Sequence, residues 1–524
     1  MRRSLAALSA AAILIPVAVT TAPSSASAAT NELTVTTYDR TGAKVTTTVS
    51  VISLKTNSTY RLTSGKPRSL PKGPYAVLAK IHTKPDGSDT LGARVLTVSG
   101  STKTSIDARN GRPIKISLNP ALSEDSQIIN ARICARNTNW TTAEAFNVPG
   151  KVYLVPHSSD YLRFAYMSQW TEPAATDAGS AYVVKGGTVA LPSSFSRTVS
   201  RSSLATVTMY ARRGPAGSPD SDVAVQSAAS GCLRDMYRGL YSGQAPFQLT
   251  THLSPGNWTL RAHSFYGSSN IGHYSKTRTL ESGKSYSQVF FRSAWGPAER
   301  LPHVVYKRLD FVTDGMFMDP GFGGSLSSYG SEAAAKSLVT LSKGSTTLKR
   351  QWRTEWGSSD TSIFSYRLPS AGWYTLNVDA RRYHPEVTYP ADLQSNRTTA
   401  TFRFYADPNK SEVAPLFLPR FTPLGLDMMN RAQPGSSTTM SLQLQRPRQS
   451  PDSKMTSVTP KTVTVRASFD GGTTWRSAKV TYSNGKWTAV VQNPMSGMVT
   501  LRAKVTDAKG NSTEVTIYRA YAIG

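Results

Sequence analysis

A period of two runs through this chain and limits what it can fold into. Stretches such as NELTVTTYD, GARVLTVSG, RPIKISLNP, KMTSVTPKTVTVRASFD and NSTEVTIYRAYAI are rich in alternating Val, Thr, Tyr and Leu, and Gly, Pro, Asn or Ser breaks each one. Successive side chains of a strand point to opposite faces, so this pattern describes half-buried strands. Short strands separated by turn residues make an all-β chain of tandem immunoglobulin-like or fibronectin-like β-sandwich modules. Long amphipathic helices are not evident. The best helical candidate is SDVAVQSAASGCLRDMYRGL, Ser221 to Leu240.

At 524 residues the chain suits three to five domains of about 100 to 150 residues each. A weak internal repeat counts them. LPKGPYAVLAKI (Leu70 to Ile81), LSPGNWTLRAHSF (Leu253 to Phe265), LPSAGWYTLNVDA (Leu368 to Ala380) and NPMSGMVTLRAKVTD (Asn493 to Asp507) share a Pro/Ser/Gly turn that feeds an alternating strand. Each copy is expected to mark one module. Breaks in the strand texture near Pro120, Ala298 to Pro302 and Ala414 to Pro423 divide the mature chain into modules 30–120, 121–299, 300–413 and 414–524. The second is the longest, and its length accommodates two subdomains.

Residues 1–29 have the layout of a secretory signal peptide: Arg2 and Arg3, an apolar run from Leu5 to about Val19, and small residues ending in Ala26-Ser27-Ala28. A membrane anchor is the alternative, but the run is short for a span and no charged stop-transfer cluster follows. The expected location is therefore extracellular, without stable membrane insertion. In that oxidising setting the even cysteine count points to one disulfide, Cys134–Cys232, closing a loop of roughly 100 residues and contributing about 2 to 5 kcal/mol. Two free buried cysteines are the alternative.

The formal charge of +28, from 60 Lys and Arg against 32 Asp and Glu, raises encounter rates with polyanions. Wall teichoic acid, acidic glycans and extracellular DNA all qualify. The basic residues are scattered, with no long tract, so a generally basic exoprotein is an equal reading. Motifs for specific nucleic-acid recognition, such as GxxG clamps or paired aromatic strands, are not apparent.

The search for chemistry gives weak candidates. No GxSxG elbow anchors a serine nucleophile and HExxH is absent. His252, His263 and His273, separated by 11 and 10 residues, form the one histidine cluster and would converge if their segments are adjacent strands. Asp310, Asp314 and Asp319 lie in the Gly-rich DFVTDGMFMDPGFGG, whose spacing does not fit an EF-hand; paired glycosidase carboxylates need about 5 to 9 Å between them. Trp352 and Trp356, with Arg353 beside them, would share one face of a strand, as a carbohydrate platform or as a core cover. Nothing in the sequence asks for a cofactor.

SFDGGTTW, Ser468 to Trp475, fits Ser-x-Asp-x-Gly-x-Thr-Trp and resembles the Asp-box of sialidases and related secreted proteins. Ser468, Asp470, Gly472, Thr474 and Trp475 carry the likeness. Propellers repeat such boxes blade after blade, whereas this one occurs once, so we read it as a turn that staples the last module: Asp470 bonds to turn amides, Gly471 and Gly472 permit positive φ, and Trp475 restarts a strand.

TSIFSYRLPSAGWYTLNVDARRY, LPRFTPLGLDMMNRA, TVTVRASFDGGTTWRSAKV and the closing NGKWTAVVQNPMSGMVTLRAKVTDAKGNSTEVTIYRAYAIG are similar to the non-catalytic tail of secreted subtilisin-like peptidases of Streptomyces-type actinobacteria. IDARNGRPIKISL and KVYLVPHSSDYLRFAY extend the likeness weakly toward the N-terminus. That family's catalytic signatures, a His-Gly-Thr/Ser segment and Gly-Thr-Ser-Met-Ala, are missing, so no catalytic residue carries over. The resemblance implies a set of accessory modules without the peptidase. The expected function is non-enzymatic binding of the cell envelope, of a cell-wall or other anionic polymer, or of a secreted peptidase or other exoprotein. An extracellular peptidase or glycosidase with an unrecognised site is the alternative.

Overall fold

The computed structural model describes residues 31–123, 126–136, 142–172, 179–214, 220–266, 269–323, 328–332, 335–356, 359–448 and 454–524. The expected leader lies outside them. The described residues form seven open sheets and are all-β apart from single 3-10 turns. The helical expectation for Ser221–Leu240 is overturned. That segment holds strand Asp220–Ser227, a 3-10 turn at Gly231–Leu233 and the start of strand Tyr237–Gln244. Alternating Val223 and Val225 fill a sheet core there, and period two prevails over a brief helical match.

The first half is a stack of four sheets. A three-stranded sheet lies over a seven-stranded one, that over a second seven-stranded sheet, and that over a five-stranded sheet. In strand Gly73–Thr83, Tyr75, Val77, Ala79 and Ile81 join the core shared with Leu33 and Ile106, while Ala76 and Leu78 join the next core with Ile133 and Phe164. Strand Leu162–Glu172 does the same one layer on. Phe164 and Tyr166 face back toward the first seven-stranded sheet, whereas Ala165 and Met167 meet Val223, Val225, Trp258 and Leu260. Burial of both faces explains the unbroken apolar runs YAVLA and FAYM. Cys134, on the second seven-stranded sheet, is disulfide-bonded to Cys232 in the turn before strand Tyr237–Gln244, with the Cα atoms 5.8 Å apart.

The second half is arranged differently. A nine-stranded sheet packs one face against a five-stranded and a four-stranded sheet, and all three share a single core that includes Phe311, Phe364, Leu376, Phe402, Phe421, Met440 and Ile517. Its other face is solvated. Strand pairing crosses positions 120, 299 and 413: Arg112–Asn119 pairs with Phe195–Ser200, Ser269–Leu280 with Ser328–Glu332, and Arg397–Ala406 with Ser512–Ile523.

Asn430, buried and at φ 57°, joins the halves. Its amide nitrogen donates to the carbonyls of Arg213 (3.0 Å) and Phe291 (2.9 Å), and its oxygen accepts from the Ser293 amide (3.2 Å) and the Arg212 guanidinium (3.3 Å).

The four repeat copies are one structural device. Each places a glycine as the first residue of an 11-residue strand: Gly73–Thr83, Gly256–Tyr266, Gly372–Arg382 and Gly497–Asp507. In the first three, the aromatic residue two positions on reaches back to a carbonyl four residues upstream. Tyr75 donates to Pro71 (2.7 Å), the Trp258 indole to Ser254 (2.7 Å) and Tyr374 to Ser370. At Gly256 and Gly497 the backbone has φ of 117° and 118°, which a side chain resists. A Cβ on Gly256 would meet nothing within 4 Å, so Gly256→Ala isolates the backbone cost. Chemical denaturation should show a loss of about 1 to 3 kcal/mol, and an unchanged midpoint would mean that the turn adapts freely.

Candidate functional site

The nine-stranded sheet has the most strands among the described residues and leaves one face solvated. Its strands include Ala335–Lys343, Thr346–Thr354, Gly372–Arg382, Arg397–Ala406, Ser512–Ile523, Gly497–Asp507 and Pro460–Ser468. Every second residue of strand Arg397–Ala406 points inward, as Ala400, Phe402 and Phe404, and leaves Arg397, Thr399, Thr401, Arg403 and Tyr405 outward. Register places Asp379 and Arg381 beside Thr399 and Arg397, and then Thr516 and Tyr518 beyond them. Arg502 and Lys504 follow, and Arg466 and Thr464 come last.

Charge on this face is one-sided. Lys336, Arg350, Arg381, Arg397, Arg403, Arg466, Arg502 and Lys504 face two carboxylates, Asp379 and Glu514, among the described residues. Asp379 holds Arg397 in a bidentate pair at 2.8 and 2.9 Å and Arg381 at 3.6 Å. Arg502 lies 3.8 Å from Glu514 and covers the Trp475 ring at 3.9 Å. Arg350, Arg466 and Lys504 are exposed and have no ion pair among the described residues. Threonines fill the rows between, and strands about 4.8 Å apart repeat the donors across the sheet.

Trp352, 52% exposed, stands at one edge of this face. The strand ends at Thr354, so Trp356 lies beyond it, and the expected common strand face is not how the two indoles meet. Tyr383 and Lys336 join them instead. The Lys336 ammonium is 3.8 Å from the Tyr383 ring and 5.8 Å from Trp352, and Trp356 packs on Tyr383 at 5.4 Å and on His384 at 5.6 Å. Arg353 is on the opposite side of the strand from Trp352, where burial lowers its pKa.

Along the strands from this edge, Trp373 and Tyr405 meet edge to face at 6.0 Å and wall a cleft of about 470 Å³. Sequence reasoning did not single out these two residues. The signal was the repeat copy LPSAGWYTL, which starts a strand at Gly372 and turns Trp373 outward.

The other candidates separate in space. His263 and His273 are directly opposite across two strands, ring centres 4.8 Å apart, with His263 Nδ1 2.7 Å from Asp222 and His273 Nε2 3.3 Å from the Arg261 guanidinium. Burial, reinforced by His263 and Arg261, pushes His273 down to about 4. His252 is elsewhere, stacked on Tyr182 at 4.5 Å and bonded to the Thr206 hydroxyl. The three carboxylates of the 310–319 segment each take a different partner. Asp310 pairs with Arg308 at 2.9 Å and Asp314 with Arg300 at 2.7 Å, whereas Asp319 accepts from the backbone amides of Arg292 and Gly321. Burial raises Asp319 to about 6. Buried Arg420 donates to the carbonyls of Asp319 and Phe322 and fixes the loop against the four-stranded sheet. Among the described residues no group of three or more His, Cys, Asp or Glu could hold a metal ion.

The Asp-box stretch forms a closed turn. Asp470 accepts from the Thr473 and Thr474 amides (both 2.9 Å), the Thr474 hydroxyl (2.5 Å) and the Ser468 hydroxyl (2.7 Å). The Gly472 amide donates to Ser468 Oγ at 2.8 Å, and the Trp475 indole donates to the Gly472 carbonyl at 2.9 Å. These donors, the Thr474 and Ser468 hydroxyls first, hold the Asp470 carboxyl well below its ordinary 3.8. A depressed acid stabilises the fold above its unfolded value and loses that contribution as pH falls further. Asp470→Asn is therefore expected to melt a few degrees below the native chain at about pH 6, with the gap narrowing toward about pH 3. A gap that does not vary with pH would assign the aspartate a purely steric role.

No protein-family model matches the chain, and no curated protein matches it. Solved structures with partial likeness include the Bacillus anthracis TIE protein, at 9% identity and a TM-score of 0.13 over 69% of this chain and 64% of that one. This chain thus spans less than two thirds of that protein. A tetra-tandem repeat from the extending region of a large adhesion protein gives 11% identity and a TM-score of 0.14 over 76% of this chain and 92% of that one. A streptococcal ancillary pilin gives 11% identity and a TM-score of 0.13 over 58% and 97%. These scores carry no argument about function. The described residues form an all-β protein of stacked open sheets, one of which has a solvated face rich in Lys and Arg, and no helix among them is long and apolar enough to cross a membrane.

Proposed function

We propose that this is a secreted, non-enzymatic, multi-module protein that binds a phosphate-bearing polymer of the cell envelope, of the teichoic-acid class, through the open face of its nine-stranded sheet. The observation that carries the proposal is the charge of that face: exposed Arg350, Arg466 and Lys504 have no carboxylate partner among the described residues, within a chain of net charge +28. A cation already bridged to a carboxylate gains little from a polyanion, whereas an unpaired one releases the polymer's counterions on binding. Threonine hydroxyls between the arginines add donors for phosphate oxygens. The signal-peptide layout of residues 1–29 supports the extracellular part of this reading.

Mature protein should sediment with purified teichoic acid-bearing walls at about 0.15 M salt and weaken steeply as salt rises. Replacing Arg350, Arg466 and Lys504 by Ala should flatten the slope of log K against log salt by about 2, while the melting temperature stays within a few degrees. Absence of wall binding, or an unchanged slope in the triple variant, would overturn the proposal. Binding that survives removal of the teichoic acid would point to a protein partner such as a secreted peptidase.

A further inference from the structure

We infer that the cleft beside Trp373 and Tyr405 is a saccharide-binding subsite that seats a neutral pyranose unit. The volume of about 470 Å³ is within the range of ordinary small-ligand pockets, about 300 to 1,000 Å³. Its walls combine the two surfaces a sugar ring needs. Tyr405, 49% exposed, offers an aromatic face to the apolar side of a pyranose, and Glu412, Lys410 and Ser457 supply acceptors and donors for its hydroxyls. Arg403 covers one face of the Trp373 ring at 4.2 Å, and the Trp373 and Tyr405 planes meet at 79°, so the exposed Tyr405 is the less covered of the two rings.

The cleft is built in advance of any ligand. Arg403 donates to the Gly510 carbonyl at 2.8 Å, and the Tyr405 amide donates to Asn511 Oδ1 at 3.1 Å. Asn511 Nδ2 in turn donates to Asp507 at 2.7 Å, and the other Asp507 oxygen accepts from the Lys509 and Asn511 amides, both at 2.8 Å. The 507–511 turn is thereby clipped to the strand that carries both Arg403 and Tyr405, so binding pays little for ordering the wall. Across the cleft, the Thr456 hydroxyl donates to Glu412 at 3.3 Å and positions that carboxylate.

Charge favours a neutral ligand here. Along the lining Lys410 and Lys509 are matched by Glu412 and Asp507, and Arg403, which covers the Trp373 ring from outside the lining, already donates to the Gly510 carbonyl. The cleft lies at one end of the cationic sheet face but has a charge-balanced lining, and the inference does not rest on that face binding a polyanion.

Saturation-transfer NMR on the mature chain with cellotriose, N-acetylchitotriose and mannotriose, each at up to about 10 mM, tests this. At least one trisaccharide should show transfer that persists at about 0.5 M salt, unaffected by Arg466→Ala plus Lys504→Ala. Tyr405→Ala should weaken it at least about tenfold, and Glu412→Gln, which keeps the shape of the wall, should weaken it as well. Each variant's thermal melt and circular dichroism confirm that it is folded. No transfer from any of the three sugars, loss of transfer at high salt, or an unchanged signal in folded Tyr405→Ala would overturn the inference.

Discussion

A sheet with two apolar faces has no stable exposure to water, and this constraint organises the first half of the molecule. The two seven-stranded sheets alternate between cores residue by residue, as Tyr75, Val77 and Ile81 do against Ala76 and Leu78. Each must be covered twice, so four sheets stack and share three cores. Removing either outer sheet would expose the apolar side chains that its neighbour turns toward it, such as Tyr75, Val77 and Ile81 or Ala165 and Met167. The outer five-stranded sheet is fastened by the disulfide at Cys232 and by Trp258, whose indole is bonded to Ser254 and lies under the Lys185 ammonium at 3.8 Å.

The second half follows the opposite rule. Strands Gly372–Arg382 and Arg397–Ala406 of the nine-stranded sheet alternate buried and more exposed residues, so one face fills a core and the other stays wet. That wet face presents a row of arginines and lysines to solvent. Polar groups tie the junction between the halves. Asn430 satisfies three backbone groups from segments remote in sequence, and Arg420 does the same for two carbonyls of the 319–322 loop. Buried polar groups of this kind are costly unless every partner is present, which fixes one arrangement of the halves.

Legibility followed the range of the interaction. The Asp-box turn was readable because all its partners lie within seven residues, and the structure gives Asp470 the amides its position in the turn implies. The repeat was readable for the same reason, since a glycine, an aromatic residue and a carbonyl four positions upstream are local. The 221–240 segment was misread because a strand, a turn and a second strand happen to present apolar residues at helical spacing. The Trp352 and Trp356 pair was seen, but the groups that connect them, Lys336 and Tyr383, come from other segments. Trp373 and Tyr405, 32 residues apart, become neighbours only through the register Trp373↔Tyr405 of two antiparallel strands.

What the sequence by itself determined is local: an all-β chain, strands with one or two buried faces, glycine-led strand starts, one cysteine pair and a strong excess of positive charge. What the tertiary structure decided is which sheet covers which, because strand pairing joins segments far apart and no local pattern encodes the partner. That choice collected Arg350, Arg397, Arg466 and Lys504 onto one face, and sent Asp310, Asp314 and Asp319 to separate partners. Alternation marks which residues of a strand are solvated; only the order of strands in the sheet sets which of them stand side by side.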